Sequence, residues 1–278
     1  MLNIHKILIE AFVKELSKSY SETFGILEKE NGYILSWFGR LALENISNSD
    51  LLYHNVEHTI MVTLVGQEIL KGKHLSEGGV TSDHWLHFMI ALLCHDIGYV
   101  RGICKNDIGD ICATGIKDEI VEISRNGTGA ALTPYHVDRG KLFVRERFNQ
   151  ISFTDIDIDR ICNYIEMTRF PIPQESFYQD TKNYGGLIRA SDLIGQLGDP
   201  NYLRKQPALF YEFSELGRNK ELGYKTPGDL RKNYPGFYWN IIRPYIQDAL
   251  KYLRVTQEGK QWIANLHSHV FEVEHNDE

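Results

Sequence analysis

The 278-residue chain predicts an all-α protein, and three observations carry that expectation. Apolar residues recur at three- and four-residue intervals along most of the chain, the period of an amphipathic helix. Alternating strand patterns are nearly absent. Helix-start residues precede several periodic runs: Ser82 ahead of Asp83, Thr154 ahead of Asp155 and Pro134 ahead of "YHVDRG".

Taken in order, Ile7, Phe12, Val13 and Leu16 mark a first helix, and "YILSWFGRLALENI" marks a second. Further helices are expected at about 57–71, 83–97, 136–150, 155–168, 186–198, 200–216, 237–254 and 256–270. Residues 101–134 break the rhythm with five glycines. There a short alternating run is followed by Asn126-Gly127, a hairpin-type turn signal, so an irregular or hairpin insertion is expected. A connection of this length is either a functional lid or a disordered surface insertion. The whole chain, 1–278, reads as a single helical domain, with a core over about 50–200 and helical extensions on both sides.

Hydrophobic residues at 42% and charged residues at 24% are ordinary for a soluble globular protein. A net charge of −7 argues against a general nucleic-acid binder, whose affinity comes from neutralising phosphates. Cys94, Cys104, Cys112 and Cys162 have neither CxxC spacing nor the density of a disulfide scaffold, so reduced thiols in a cytoplasm are expected. Lys6, Glu10, Lys14 and Glu15 interrupt the first twenty residues, which leaves no apolar signal core. No apolar run reaches the ~18 residues of a membrane span, so no membrane partner is expected.

The run "LLYHNVEHTIMVTLVGQEIL" sets His54 and His58 four positions apart. Composition alone gives about 0.4 such pairs in a chain like this, and about 0.6 His-Asp dipeptides, so neither decides anything by itself. Context adds weight. His95-Asp96 closes the apolar run "FMIALLCHDIGY", where Phe88, Ile90, Ala91, Leu92 and Leu93 carry a carboxylate and an imidazole toward the core. Burying an unpaired carboxylate is costly. Gly98 is expected to end that helix through positive φ. In "GGLIRASDLIGQLGDP", Asp192 falls between Leu187/Ile188 and Leu193/Ile194. A cap or an arginine could satisfy one such aspartate; one shared divalent ion would satisfy both, and His58 with them.

His58, His95-Asp96 and Asp192, in that order on helices, resemble the H…HD…D pattern of the HD superfamily of metal-dependent phosphohydrolases, over about residues 50–200. "YHNVEH" is similar to the YHNxxH signature of class I cyclic-nucleotide phosphodiesterases. "YHVDRG" resembles an HPxxG-type segment, and "HDIGY" the HDxGK and HDxxH forms. The resemblance implies an HD/phosphodiesterase-like helical bundle in which His58, His95, Asp96 and Asp192 hold a first divalent ion. Fe, Mn, Mg, Ni and Zn all suit such donors. With a second ion, Asp96 would bridge, and His136 and Glu166 match second-site ligands; a solvent-facing His136 is the alternative.

Among catalytic groups, the resemblance makes His54 the donor to the leaving oxygen, with support of the ligands as its alternative role. Asp96 would act through the ion. Tyr99 stands where the phosphodiesterases have histidine and another branch has lysine. It orients water or phosphate without supplying charge, a departure that counts against cyclic-nucleotide specificity. Arg101, Arg139, Lys141, Arg169 and Arg189 are candidates for binding phosphate, and Gln196, one turn beyond Asp192, for another substrate contact.

The implied activity is hydrolysis of a phosphate ester, of a nucleotide or another small phosphorylated molecule, by metal-activated water. Cyclic-nucleotide hydrolysis, oxygen-dependent di-iron chemistry and a catalytically silent sensing module are the alternatives, and self-association is compatible with each. Later segments say less. "DPNYLRKQPALFYEFSEL" and "YPGFYWNIIRPYIQDALKYL" read as aromatic core rather than a base-stacking platform. "HSHVFEVEH", with His267, His269 and His275, reads as an exposed tail.

Overall fold

The computed structural model describes residues 3–25, 29–149 and 156–275. In chain order the helices are α1 (Ile4–Phe24), α2 (Lys29–Ile46), α3 (Val56–Glu77), α4 (Ser82–Cys94), α5 (His136–Phe148), α6 (Ile158–Glu166), α7 (Tyr184–Leu197), α8 (Tyr202–Glu215), α9 (Arg218–Leu222), α10 (Pro227–Phe237), α11 (Arg243–Leu253) and α12 (Gln257–His275). Strands β1 (Ile111–Ala113) and β2 (Ile120–Glu122) form one small hairpin. The all-α class is therefore the observed one, and among the described residues no helix is long and apolar enough to cross a membrane.

Helices α3, α4 and α7 form the centre. α4 is buried from Trp85 through Cys94, and α3 buries Ile60, Val62, Val65, Ile69 and Leu70. α3 packs on α7 with backbone nearly touching backbone: a Cβ on Gly195 would lie 2.5 Å from the Cα of Val62. A Cβ on Gly66 would lie 2.1 Å from Leu92 of α4. The backbone contact at Gly195 needs glycine, and it brings His58, one turn before Val62, beside Asp192, nearly one turn before Gly195. α1 and α2 pair with each other, and α2 covers α4, while α11 and α12 lie against α3 and α7.

Several helix limits differ from the sequence expectation. α4 is capped by Thr81, whose side chain accepts from His84 N at 3.1 Å, one residue before Ser82. It stops at Cys94 rather than running to 97, so His95 and Asp96 sit in the exit turn, ahead of a 3₁₀ turn over Ile97–Tyr99. Gly98 does not take positive φ. Its role is close approach, since a Cβ there would lie 1.9 Å from the carbonyl oxygen of His136. The expected start at Thr154-Asp155 lies outside the described residues; α6 begins at Ile158, with Asp157 accepting from Arg160 N at 2.9 Å. α9 and α10 were not expected at all.

The 101–134 insertion is folded. β1 and β2 pair antiparallel with Cys112 opposite Val121, and residues 114–119 make the turn. Asn126-Gly127 is not the hairpin turn but a later one, closed by Gly127 N donating to Ser124 O at 2.8 Å. "HSHVFEVEH" is also not a free tail. It ends α12, where His269 is buried against the Leu197 carbonyl at 2.9 Å while His267 and His275 are exposed. All four cysteines are buried and free.

Candidate metal centre

Asn55 caps α3, accepting from Glu57 N at 2.9 Å and His58 N at 3.3 Å, which fixes His58 in the first turn. The exit of α4 supplies His95 and Asp96, and the middle of α7 supplies Asp192. His58 Nε2 lies 3.2 Å from Asp96 Oδ2 and 3.6 Å from Asp192 Oδ1. His95 Nε2 lies 3.1 and 3.5 Å from the same two oxygens. The four side chains expected to share an ion are thus brought together.

The donor chemistry fits a cation. His95 Nδ1 donates to the Leu92 carbonyl at 2.7 Å, which leaves Nε2 as the atom turned to the carboxylates. His95 Nε2 and Asp96 Oδ2 are buried, and neither has a hydrogen-bond partner of good geometry among the described residues. Buried polar atoms are ordinarily satisfied, so this pair calls for a ligand. One atom each from His58, His95 and Asp192 lie within 4.8 Å of one another, as do atoms from His54, His58 and Asp96. Burial opposes charge on His95, but Asp96 and Asp192 outweigh it and hold the imidazole well above its ordinary value. Burial likewise opposes ionised Asp192, yet His95 and His58 bring it down to about 2, and Asp96 is also held low. Both carboxylates are anionic at neutral pH.

Beside the cluster lies a cavity of about 280 Å³. His54 lines it, and its Nδ1 meets Glu212 Oε2 at 2.5 Å. Burial opposes the charged imidazole, but Glu212 outweighs it and raises His54 to about 9. Tyr99 is sandwiched between His54, at 4.8 Å between ring centroids, and His136, at 4.4 Å with the planes 12° apart. Burial keeps the Tyr99 phenol well above its usual value, so it is a neutral hydroxyl. His136 also lines the cavity, its Nδ1 bonded to Thr133 O at 2.7 Å, but it stands outside the two groups of converging donors. Gln196 also lines the cavity.

Glu166 and the expected phosphate-binding cations lie elsewhere, because each has found a nearer partner. Glu166 accepts from Arg169, Lys141 and Tyr178, and Arg169 and Lys141 also pair with Asp138. Arg101 pairs with Asp50 at 2.5 Å. Arg139 is fully buried, bonded to both Asp107 oxygens and to the carbonyls of Gly98, Val100 and Ala113, so it anchors the insertion instead of facing substrate. Arg189 is buried too, bonded to the Tyr178 and Asp180 carbonyls and lying 4.7 Å over the Tyr245 ring.

Glu212, from α8, was missed. It accepts from Tyr53 N at 2.6 Å as well as meeting His54. All of the far cavity wall except Leu230 falls in segments whose sequence reads as aromatic core. It comes from α8, α10 and the π-helical stretch Tyr238–Ile242, through Leu209, Phe213, Leu230, Tyr234, Phe237 and Ile242. A start signal for α10 was present: Thr226 as cap, Pro227 at the first position and Asp229 closing the capping box.

Residues 2–276 match the model of a family described as Npun_R2479-like, and the chain belongs to that family. No curated protein matches it.

Proposed function

We propose that this protein is an HD-type, metal-dependent phosphohydrolase of the cytoplasm, acting on a phosphate ester of a nucleotide or another small phosphorylated molecule. What carries the reading is the convergence of His58, His95, Asp96 and Asp192 from α3, the exit of α4 and α7, with the buried His95 Nε2 and Asp96 Oδ2 3.1 Å apart and neither in a well-aligned hydrogen bond among the described residues. Imidazole and carboxylate donors suit Fe, Mn, Mg, Ni or Zn. Held by these four side chains, a divalent ion would acidify water and offset charge on phosphoryl oxygens.

The chain's own groups do the rest. Glu212 holds Nδ1 of His54, so Nε2 is the atom that can hand a proton to a leaving oxygen in the cavity. The same carboxylate favours the charged imidazole of His54, the direction a general acid requires. The Tyr99 hydroxyl offers a neutral donor for positioning water or a phosphoryl oxygen. The apolar wall opposite limits the water that competes for these hydrogen bonds.

The test is turnover of an aryl phosphomonoester and an aryl phosphodiester with Mn²⁺, in the wild type and in Asp96→Ala. A fall of at least ~100-fold in the variant is expected. Equal rates in the two proteins remove the hydrolase reading.

A further inference from the structure

The cavity also restricts what can be attached to the phosphoryl group, an inference that rests on the reading above for where that group sits. We infer that the substrate bears a single phosphoryl group on a largely apolar body, and that it is not a polyphosphate.

The first argument is charge. Asp96, Asp192, Glu212 and Glu221 all line the cavity; His54 is paired with Glu212, and Arg218 is the single lysine or arginine among the lining residues. Each of the five cations that the sequence offers for phosphate, Arg101, Arg139, Lys141, Arg169 and Arg189, is held by partners elsewhere. Two divalent ions at the histidine–aspartate cluster would offset Asp96, Asp192 and one phosphoryl dianion, whereas a single ion would offset the two aspartates alone. A second or third phosphate would then lie along the wall with only Arg218 to meet it. An uncompensated charge beside apolar surface is strongly unfavourable.

The second argument is surface. Beyond the cluster, the wall is made by Leu209, Phe213, Leu230, Tyr234, Phe237 and Ile242. A ring or short chain laid there leaves water against matching apolar area, worth a tenfold or greater gain in affinity for one buried ring. A volume of about 280 Å³ has room for a body of that size. The wall ends at a rim where Leu222 and Asn233 are exposed and Arg218 is half-buried with no ion-pair partner among the described residues, so the body would end near solvent.

Binding decides it without requiring turnover. Calorimetric affinities in the presence of Mn²⁺ are compared for three non-hydrolysable probes: methylphosphonate, naphthylmethylphosphonate and a methylene-bridged nucleoside triphosphate. The naphthyl compound is expected to bind at least ~10-fold more tightly than either other probe. Leu230→Lys, or Phe213→Lys should the first variant not fold, is expected to abolish that preference. Tighter binding of the triphosphate analogue, or equal binding of the two phosphonates, overturns the inference. Should the naphthyl preference hold while no ester is hydrolysed, the hydrolase reading falls and the apolar-body inference stands. Should esters be hydrolysed while the triphosphate analogue binds best, the reverse is true.

Discussion

His54 and Glu212, 158 positions apart in the chain, meet through Nδ1 and Oε2 at 2.5 Å. Because Glu212 also accepts from the backbone of Tyr53, α8 is tied to the segment that leads into α3. Helices α8 and α10, beyond Asp192, therefore contribute to the site. It supplies both the partner of His54 and the wall facing it.

Removing that partner has two separable effects. Glu212→Ala leaves the buried Tyr53 N–H without an acceptor, expected to cost about 1–3 kcal/mol in urea unfolding. It also frees the His54 ring, and turnover is expected to fall ~10- to 100-fold. Glu212→Gln retains an acceptor for Tyr53, so it should recover most of the stability but not the turnover. Full activity in Glu212→Gln would show that the charge on this side chain has no part in catalysis.

Arg139 makes the opposite case, a cation read from sequence as a phosphate contact and found to be structural. Arg139→Met leaves Asp107 buried and unpaired, and a loss of about 3–5 kcal/mol is expected by denaturant unfolding. The insertion should also become sensitive to proteolysis between residues 101 and 134. A variant of unchanged stability that binds methylphosphonate poorly would return Arg139 to the substrate.

Glu166 gives a pH dependence with a definite sign. Burial disfavours its charge, but Arg169, Lys141 and Tyr178 outweigh burial and lower it from 4.5 to about 2. A carboxylate depressed in this way adds stability that is complete above pH 4.5 and disappears as pH falls toward 2. The difference corresponds to about 3 kcal/mol. Stability of the wild type over Glu166→Gln should shrink across that window and be constant from pH 6 to 8; a gap that persists at pH 2 contradicts the assignment.

Gly195 is predicted to matter to metal binding without touching a ligand. A Cβ there would meet the backbone of Val62, so Gly195→Ala must push α3 from α7. Overpacking of this kind costs about 1–3 kcal/mol. It should also weaken Mn²⁺ affinity, measured by titration, because His58 and Asp192 ride on the two separated helices. Unaltered affinity with reduced stability would mean that the shift is absorbed elsewhere.

The histidine–aspartate cluster was legible because charged side chains stood inside apolar helical runs, a local conflict that only a partner resolves. His58, His95, Asp96 and Asp192 share that mark. Glu212 does not: it sits on an amphipathic helix with ordinary acidic neighbours, and its importance arises from a contact with a residue far away in the chain. The cations failed for a related reason. Nearness to a motif placed Arg101, Arg139 and Arg189 close to the site, but their partners were Asp50, Asp107 and backbone carbonyls in irregular segments that periodicity does not reveal. The all-α class followed from period alone, whereas α9 and α10 are short and flanked by glycines at positive φ or by proline, where periodicity is weakest.

The interior placement of all four thiols has a practical corollary. Burial raises Cys104 to about 12 and Cys94 higher still, so alkylating reagents find almost no thiolate in the native protein at neutral pH. The wild-type chain is accordingly a silent background for site-directed labelling. A fluorophore coupled to an introduced Asn233→Cys, on the exposed rim, would report ligands entering the cavity with no native cysteine to delete first.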